Sequence, residues 1–296
     1  PGRKNSVDEI NADDQPPALL RTYTIDSMTI TAVFDEPLDS STAANTSNYT
    51  IDLIGQPVTA TPVMPSGTAV MLKLSRPLQP GTVYRLTVRL ISDCSGNTIG
   101  QFNTAKAGLP SPPDSLHIVI NEVLFNPPAD GSDFIELYNR GPSIVDLKQL
   151  YLANRNATGQ LTNIISLSND PWLFFPGEYK AFTENKQWVQ QQFLVKDPSL
   201  IMECASLPSM PDDKGVIALL NAQGQLIDEL PYDEKWHFAL IDNRQGISLE
   251  RVNYNHATRD QLNWTSAAST AGFGTPGAVN SQLHADAQAQ GQAMVI

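Results

Sequence analysis

Residues 120–139 read INEVLFNPPADGSDFIELYN. The run from Ile118 to Phe125 is continuous apolar sequence broken only by Asn121 and Glu122, and Pro127-Pro128 stops it. Phe134–Asn139 follows, with Phe134, Glu136 and Tyr138 on one face, and Arg140-Gly141-Pro142 ends it. Two short runs separated by a proline-containing turn are the pattern of paired strands. Glu136 sits among aromatic neighbours, so a partner is expected for it wherever that face is buried. Further on, Val216–Leu220 and Leu226–Asp228 flank Asn221-Ala222-Gln223-Gly224, a hairpin with a Gly-containing loop. The helical candidate is Glu184–Phe193, with Thr183 as its expected cap.

Upstream, the same period of two recurs. Met28, Ile30, Ala32 and Phe34 alternate with Thr29, Thr31 and Val33. Val70, Leu72 and Leu74 alternate with Met71 and Lys73, and Tyr84, Leu86, Val88 and Leu90 with Arg85, Thr87 and Arg89. One wet and one dry face indicates an antiparallel sheet packed on one side. The turns between are Asp35-Glu36-Pro37, Met64-Pro65-Ser66-Gly67, Gln79-Pro80-Gly81 and Ser95-Gly96-Asn97, where Pro fixes φ and Gly or Asn accepts positive φ. The expected architecture is all-β, two consecutive immunoglobulin-like β-sandwich domains. The expected boundaries are a flexible leader 1–17, a first domain 18–106, a Pro-rich linker 107–114, a second domain 115–282 and a low-complexity tail 283–296.

Composition excludes several partners. The 296 residues carry 19 Lys+Arg against 31 Asp+Glu, a formal net charge of −12. That balance disfavours nucleic acid, which demands clustered cations, and anionic lipid. Residues 18–105 hold five basic and six acidic side chains, net −1, whereas 117–281 hold eleven and nineteen, net −8. No apolar run approaches the roughly 20 residues of a membrane span, so no membrane insertion is expected. The chain starts at Pro1, which reads as a processed product or a fragment, with any export signal outside it.

Particular motifs carry resemblances. VFDEPLDSSTAANTSNYTI (33–51), AVMLKLSRPLQPGTVYRLTV (69–88) and SDCSGNTIG (92–100) together resemble the bacterial Ig-like module of surface-layer proteins. INEVLFNPPADGSDFIELYN (120–139), SLPSMPDDKGVIALLNAQGQLIDELPY (206–232), GISLERVN (246–253), NWTSA (263–267) and GTPGAVNS (274–281) resemble a lamin-tail domain, an Ig-like β-sandwich of nuclear lamins and of secreted bacterial proteins. The first resemblance implies a spacer or stalk, the second an accessory or interaction module. Their pairing implies the bacterial branch. Neither implies a reaction.

The chemistry on offer is sparse. His117, His237, His256 and His284 are too far apart in sequence for a metal-binding pair and read as structural or solvated. No nucleophile elbow, phosphate loop or dinucleotide fingerprint occurs. Glu122, Asp130, Asp133 and Glu136 form an acidic group whose hard oxygens suit a weak calcium site. Pro128 and Ala129 stand where an EF-type loop would place ligands. The alternative is a solvated Asp130–Asp133 turn, with Glu122 and Glu136 bonded to backbone or Arg. Asp212-Asp213 reads as a turn. Trp172, Phe174 and Phe175, and Trp236 with Phe238, are either glycan platforms, with Trp172 and Trp236 the binding candidates, or core. Cys94 and Cys204 form one interdomain bridge or remain buried free thiols, the latter being favoured.

These features point to a non-enzymatic secreted or cell-surface protein with no cofactor beyond that candidate calcium. Its expected partner is a protein or a cell-surface glycan. The alternatives are an accessory, non-catalytic region of a larger secreted hydrolase, either nuclease or phosphatase, and a calcium-stabilised adhesin.

Overall fold

A computed structural model describes residues 13–115 and 117–284. The expected leader up to residue 12 and the tail from residue 285 lie outside these. The chain divides into two compact units. The first reaches Pro110 and takes in Pro171–Leu173; the second starts at Ser111 and holds the rest. The expected linker is thus shared out: Ala107 is buried in the first unit's core, while the Ser111 amide donates to the Ile144 carbonyl in the second.

Among the described residues the first unit has seven strands: β1 (Leu19–Asp26), β2 (Thr29–Phe34), β3 (Tyr49–Ile51), β4 (Thr59–Pro62), β5 (Ala69–Lys73), β6 (Tyr84–Val88) and β7 (Thr104–Ala107). They form two sheets, ordered β1-β2-β5-β4 and β3-β6-β7, with every pair antiparallel. The alternation holds within β5 and β6 but not beyond them, where Leu90, read as the next inward position, is 71% exposed. Val70, Leu72, Tyr84, Leu86 and Val88 are buried, while Met71, Lys73 and Arg85 are exposed. Inner strand β2 departs from it, because Thr29 and Thr31 are buried as well. A single-turn helix, α1 (Ser40–Ala43), is capped by Asp39. In the D-x-x-G-N turn, Asp93 accepts from the Ser95 and Asn97 amides and from the Asn97 side chain, each at 2.8 Å. Gly96 at φ +93° supplies the left-handed residue that this turn requires.

Among the described residues the rest of the chain has twelve strands. These are β8 (Ile118–Leu124), β9 (Phe134–Asn139), β10 (Val145–Asp146), β11 (Leu150–Arg155), β12 (Leu161–Ser166), β13 (Leu173–Phe174, starting at the last residue assigned to the first unit), β14 (Tyr179–Thr183), β15 (Ile201–Glu203), β16 (Lys214–Asn221), β17 (Leu226–Asp233), β18 (Leu249–Arg251) and β19 (Trp264–Ser266). They build a six-stranded sheet, β15-β14-β9-β8-β18-β19, a four-stranded sheet, β12-β11-β16-β17, and the small pair β10-β13. The β14–β15 pair is parallel. The expected hairpin is β16–β17, whose loop is tied by Asn221 accepting from the Gln223 and Gln225 amides.

Strand β8 is buried along its whole length and β9 almost so. The clean alternation read for β9 fails because its second face is also covered. Helix α2 (Lys186–Gln192) packs Val189, with Phe193 just beyond it, on Leu124, Phe134, Ala181 and Ile201. Gly274 belongs to the same cover, since a Cβ there would meet the Phe193 ring at 2.5 Å. The helix is shorter than its sequence suggests, and its cap is Asn185 rather than Thr183. Asn185 accepts from the Trp188 amide at 2.9 Å, while the Thr183 hydroxyl donates to the Asp133 carbonyl at 2.7 Å.

Candidate functional site

Three neighbouring strands of the six-stranded sheet each contribute a glutamate at the same level. Glu122 of β8 stands opposite Glu136 of β9 on one side and Glu250 of β18 on the other. All three have zero exposure. Like charges directly opposite one another in a sheet are destabilising, and buried carboxylates need partners. The partners come mostly from residues 274–282, which lie across the row.

Glu122 accepts from the Ser248 hydroxyl at 2.5 Å and from the Thr275 amide at 2.8 Å. Glu136 accepts from the Gly277 amide at 2.5 Å and from the Asn121 side chain at 2.8 Å. Glu250 accepts from the Gln282 amide at 2.9 Å, the Ser281 hydroxyl at 2.8 Å and the Thr275 hydroxyl at 2.7 Å. Each carboxyl therefore receives one backbone N–H of this strap, the role a neighbouring strand would otherwise play. Asn280 completes the seam by donating to the carbonyls of Asn121 and Arg251. Burial first, then the Glu250 charge, pushes Glu122 up to about 8 against its hydrogen bonds. Burial and the Glu122 charge likewise hold Glu136 well above the usual carboxylate range.

On the opposite face of β18, Arg251 is fully buried. It donates to the Ile120 and His256 carbonyls, at 2.9 and 3.0 Å, and to the Thr258 hydroxyl. It lies 3.5 Å from the Asp228 carboxylate and stacks over Trp264, 5.2 Å from the ring centroid. Asp228 also accepts from the Ile120 amide at 2.8 Å, so the pair ties β17 to β8 and β18. Burial pulls the Arg251 guanidinium down to about 10, which leaves it charged at neutral pH. Glu229, next along β17, is clasped by Arg155 and Arg259.

The acidic quartet read from the sequence is therefore split. Glu122 and Glu136 face each other and the strap. Asp130 is exposed in the turn, and Asp133 lines a polar pocket with Glu184 and Asp212. Burial, then the Asp212 and Glu184 charges, push the Asp133 carboxyl up to about 7. The carboxylates that converge within 4.8 Å among the described residues are instead Asp13, Glu36 and Asp93 of the first unit.

Of the aromatics, Phe174 and Phe175 are core. Trp172, in the first unit as divided, is half-buried with the Arg21 guanidinium 4.7 Å from its ring centroid. Trp236 is half-buried in a short 3-10 turn, and Phe238 beside it is 55% exposed. His237 is buried, with Nδ1 at 2.8 Å from the Ser266 hydroxyl, and burial pulls it down to about 4. Both cysteines are free thiols; Cys204 is half-buried, but Cys94 is exposed, against the expectation of two buried thiols. Glu250, Thr275, Gly277 and Asn280 were not among the sequence candidates. Their signal was a glutamate set in each of three apolar strands, I-N-E, F-I-E-L and L-E-R.

Residues 111–234 match the family model for the Lamin Tail Domain, and residues 13–105 match one for a bacterial Ig-like domain. Glu250 and the strap lie beyond the matched stretch, yet they are built into the same unit. Among solved structures, the N-terminal part of the bacterial S-layer protein SbsC is similar at 18% identity, over 58% of this chain and 41% of that one, with a TM-score of 0.30. A DUF4876 family protein from Bacteroides thetaiotaomicron is similar at 11% identity, over 80% and 86%, with a TM-score of 0.32. The chain spans about two fifths of the length of the S-layer structures it matches. No curated protein matches it.

Proposed function

We propose that this chain, a bacterial Ig-like domain followed by a lamin tail domain, is a non-catalytic spacer and interaction module of an extracytoplasmic protein. The observation that carries this reading is where the buried acids go. Glu122, Glu136, Glu250, Asp228 and Glu229 are all engaged by protein donors that hold strands and strap together. A general acid or base has to face its substrate; Glu122, Glu136 and Glu250 are fully buried in the sheet, and Asp228 and Glu229, which line a pocket, are held by arginines. No helix among the described residues is long and apolar enough to cross a membrane.

Sandwich loops and edges are the natural contact surfaces of such modules. In the second unit Phe238, Leu240, Leu262 and Phe273 are exposed apolar side chains, at 55%, 80%, 84% and 38%, and Phe238 and Phe273 line one pocket with Ile241. They offer an anchor for a protein or a cell-surface glycan. Crosslinking pull-down from the native cell surface tests this, with Phe238→Ser as the control. The expected result is a surface partner captured by the wild type and lost from the variant. Recovery of the native chain in the cytoplasmic fraction overturns the reading. So does hydrolytic turnover by the purified chain that Glu122→Gln abolishes.

A further inference from the structure

The Thr275 hydroxyl stands between two carboxyls, 3.1 Å from Glu122 Oε2 and 2.7 Å from Glu250 Oε1. A hydroxyl has one hydrogen to donate, and an ionised carboxylate can only accept. If both glutamates were ionised, one of these two short contacts would hold two acceptors and no hydrogen, inside a fully buried row. The geometry is satisfied when one carboxyl carries a proton, donates it to Thr275 Oγ1, and Thr275 donates onward to the other. Glu250 is the better final acceptor, since its second oxygen also receives the Ser281 hydroxyl and the Gln282 amide. Glu122 Oε2 has the Thr275 hydroxyl as its one hydrogen-bond neighbour among the described residues.

We propose that the Glu122 carboxyl holds a proton which it donates to Thr275, so that closing the strap 274–282 over the sheet is linked to proton binding. The upward push on Glu122 from burial and from the Glu250 charge agrees with this placement. The charged and titratable groups around it are acidic or phenolic. Glu136 comes from β9 and Glu250 from β18, while Tyr179 of β14 and Tyr254 beyond β18 face Glu136. The strap carries no titratable side chain between Gly274 and Gln282. Of the buried cations in this sheet, Arg251 follows Glu250 in β18 and so points to the opposite face, where Asp228 holds it, and Lys180 of β14 donates to the Ser199 carbonyl. Deprotonation of Glu122 therefore adds a negative charge beside Glu250 and Glu136, and it orphans a hydrogen-bond contact on the strap's own threonine. The strap thus opens on the alkaline side.

Hydrogen exchange of the 275–282 amides in the full chain, corrected for intrinsic rates at each pH, reads the closing equilibrium directly. In the wild type the closing constant falls by up to about tenfold per pH unit for each linked proton as pH rises through neutrality. In Glu122→Gln the side-chain amide replaces the donated proton permanently. The strap stays protected at alkaline pH, and the dependence loses about one proton. Glu136→Gln leaves the relay intact and keeps that proton. A wild-type pH dependence in Glu122→Gln, or a strap protected equally at acid and alkaline pH in the wild type, overturns the proposal. Isotope-labelled glutamate carboxyl NMR on the wild type gives a second reading that needs no Glu122 variant. A neutral carboxyl that persists near neutral pH and is not removed by Glu136→Gln supports the proposal. Full ionisation of every glutamate under those conditions defeats it.

Discussion

The two units are both β-sandwiches, but their interiors are held together by different physics. The first buries a nearly pure apolar core, from Ile30, Phe34, Val70 and Leu72 to Tyr84, Leu86 and Val88. Its buried carboxylate, Asp93, belongs to a turn and is saturated by that turn's own donors. The second buries Glu122, Glu136, Glu250 and Arg251 at the centre of its larger sheet, with Asp228 of β17 in the four-stranded sheet held by Arg251. A sandwich tolerates such an interior only when each group is partnered, because low local dielectric strengthens paired contacts and penalises unpaired ones. Strands β18 and β19 are three residues each and give little ladder, and the strap has no regular strand of its own. Carboxylates that accept backbone N–H groups do the work that a ladder does in the first unit.

That contrast can be broken from its strongest point downward. Arg251→Met removes the charge facing buried Asp228 and should cost the second unit about 3–5 kcal/mol. Denaturant unfolding with a probe in each unit should show the second transition moving and the first unchanged. In the first unit, Leu72→Ala leaves a cavity between the sheets and should cost about 2–5 kcal/mol there alone. A shift of both transitions together in either variant would contradict the division into separately stabilised bodies.

pH should separate the units in opposite directions. In the second, Glu122 and Glu136 bind protons more tightly folded than unfolded. Their contribution is fullest below the ordinary glutamate value of 4.5 and is lost on the alkaline side, that of Glu122 as pH rises through about 8. In the first, burial alone would raise Asp93, but hydrogen bonds from Asn97, Ser95 and Gly96 outweigh it and hold the carboxyl low. Hydrogen bonds do the same for Asp26 and Asp39, whereas burial and neighbouring acids raise Glu36. Three groups against one make the first unit lose stability as pH falls below the ordinary aspartate value of 3.8. Thermal melts resolved by unit, taken from acid to mildly alkaline pH, check both signs. The smallest effect is at the helix: Asn185→Ala removes the cap of α2 and should cost about 1 kcal/mol, seen as faster exchange of the Trp188 amide.

The sheet-forming runs were legible because burial on one face imposes a period of two, and β5 and β6 follow it residue by residue. Strand β9 was legible as a strand but not as one covered on both faces. Its cover comes from α2 and from residues about 140 positions away, as in the Gly277–Glu136 bond, and local periodicity carries no trace of them. Glu136 announced its need for a partner by sitting between Phe134 and Tyr138. Which distant partner would answer could not be read, because the donor from the strap is the Gly277 backbone amide, a group identical at every residue. The quartet of acids looked like one site because its members are close in sequence. Strand pairing sends Glu122 and Glu136 inward to face each other, and the turn leaves Asp130 in solvent.

The direct test of the central claim, that the glutamate row is the seam holding the strap to the sheet, is residue-resolved hydrogen exchange in the full chain with Glu136→Ala. That change orphans the Gly277 amide and leaves the Asn121 side chain with Asn280 in place of two partners. Amides from 275 to 282 should lose protection, while those of β11 and β16 in the facing sheet, and those of the first unit, keep theirs. Wild-type protection of Gly277 and its neighbours in the variant would contradict the account.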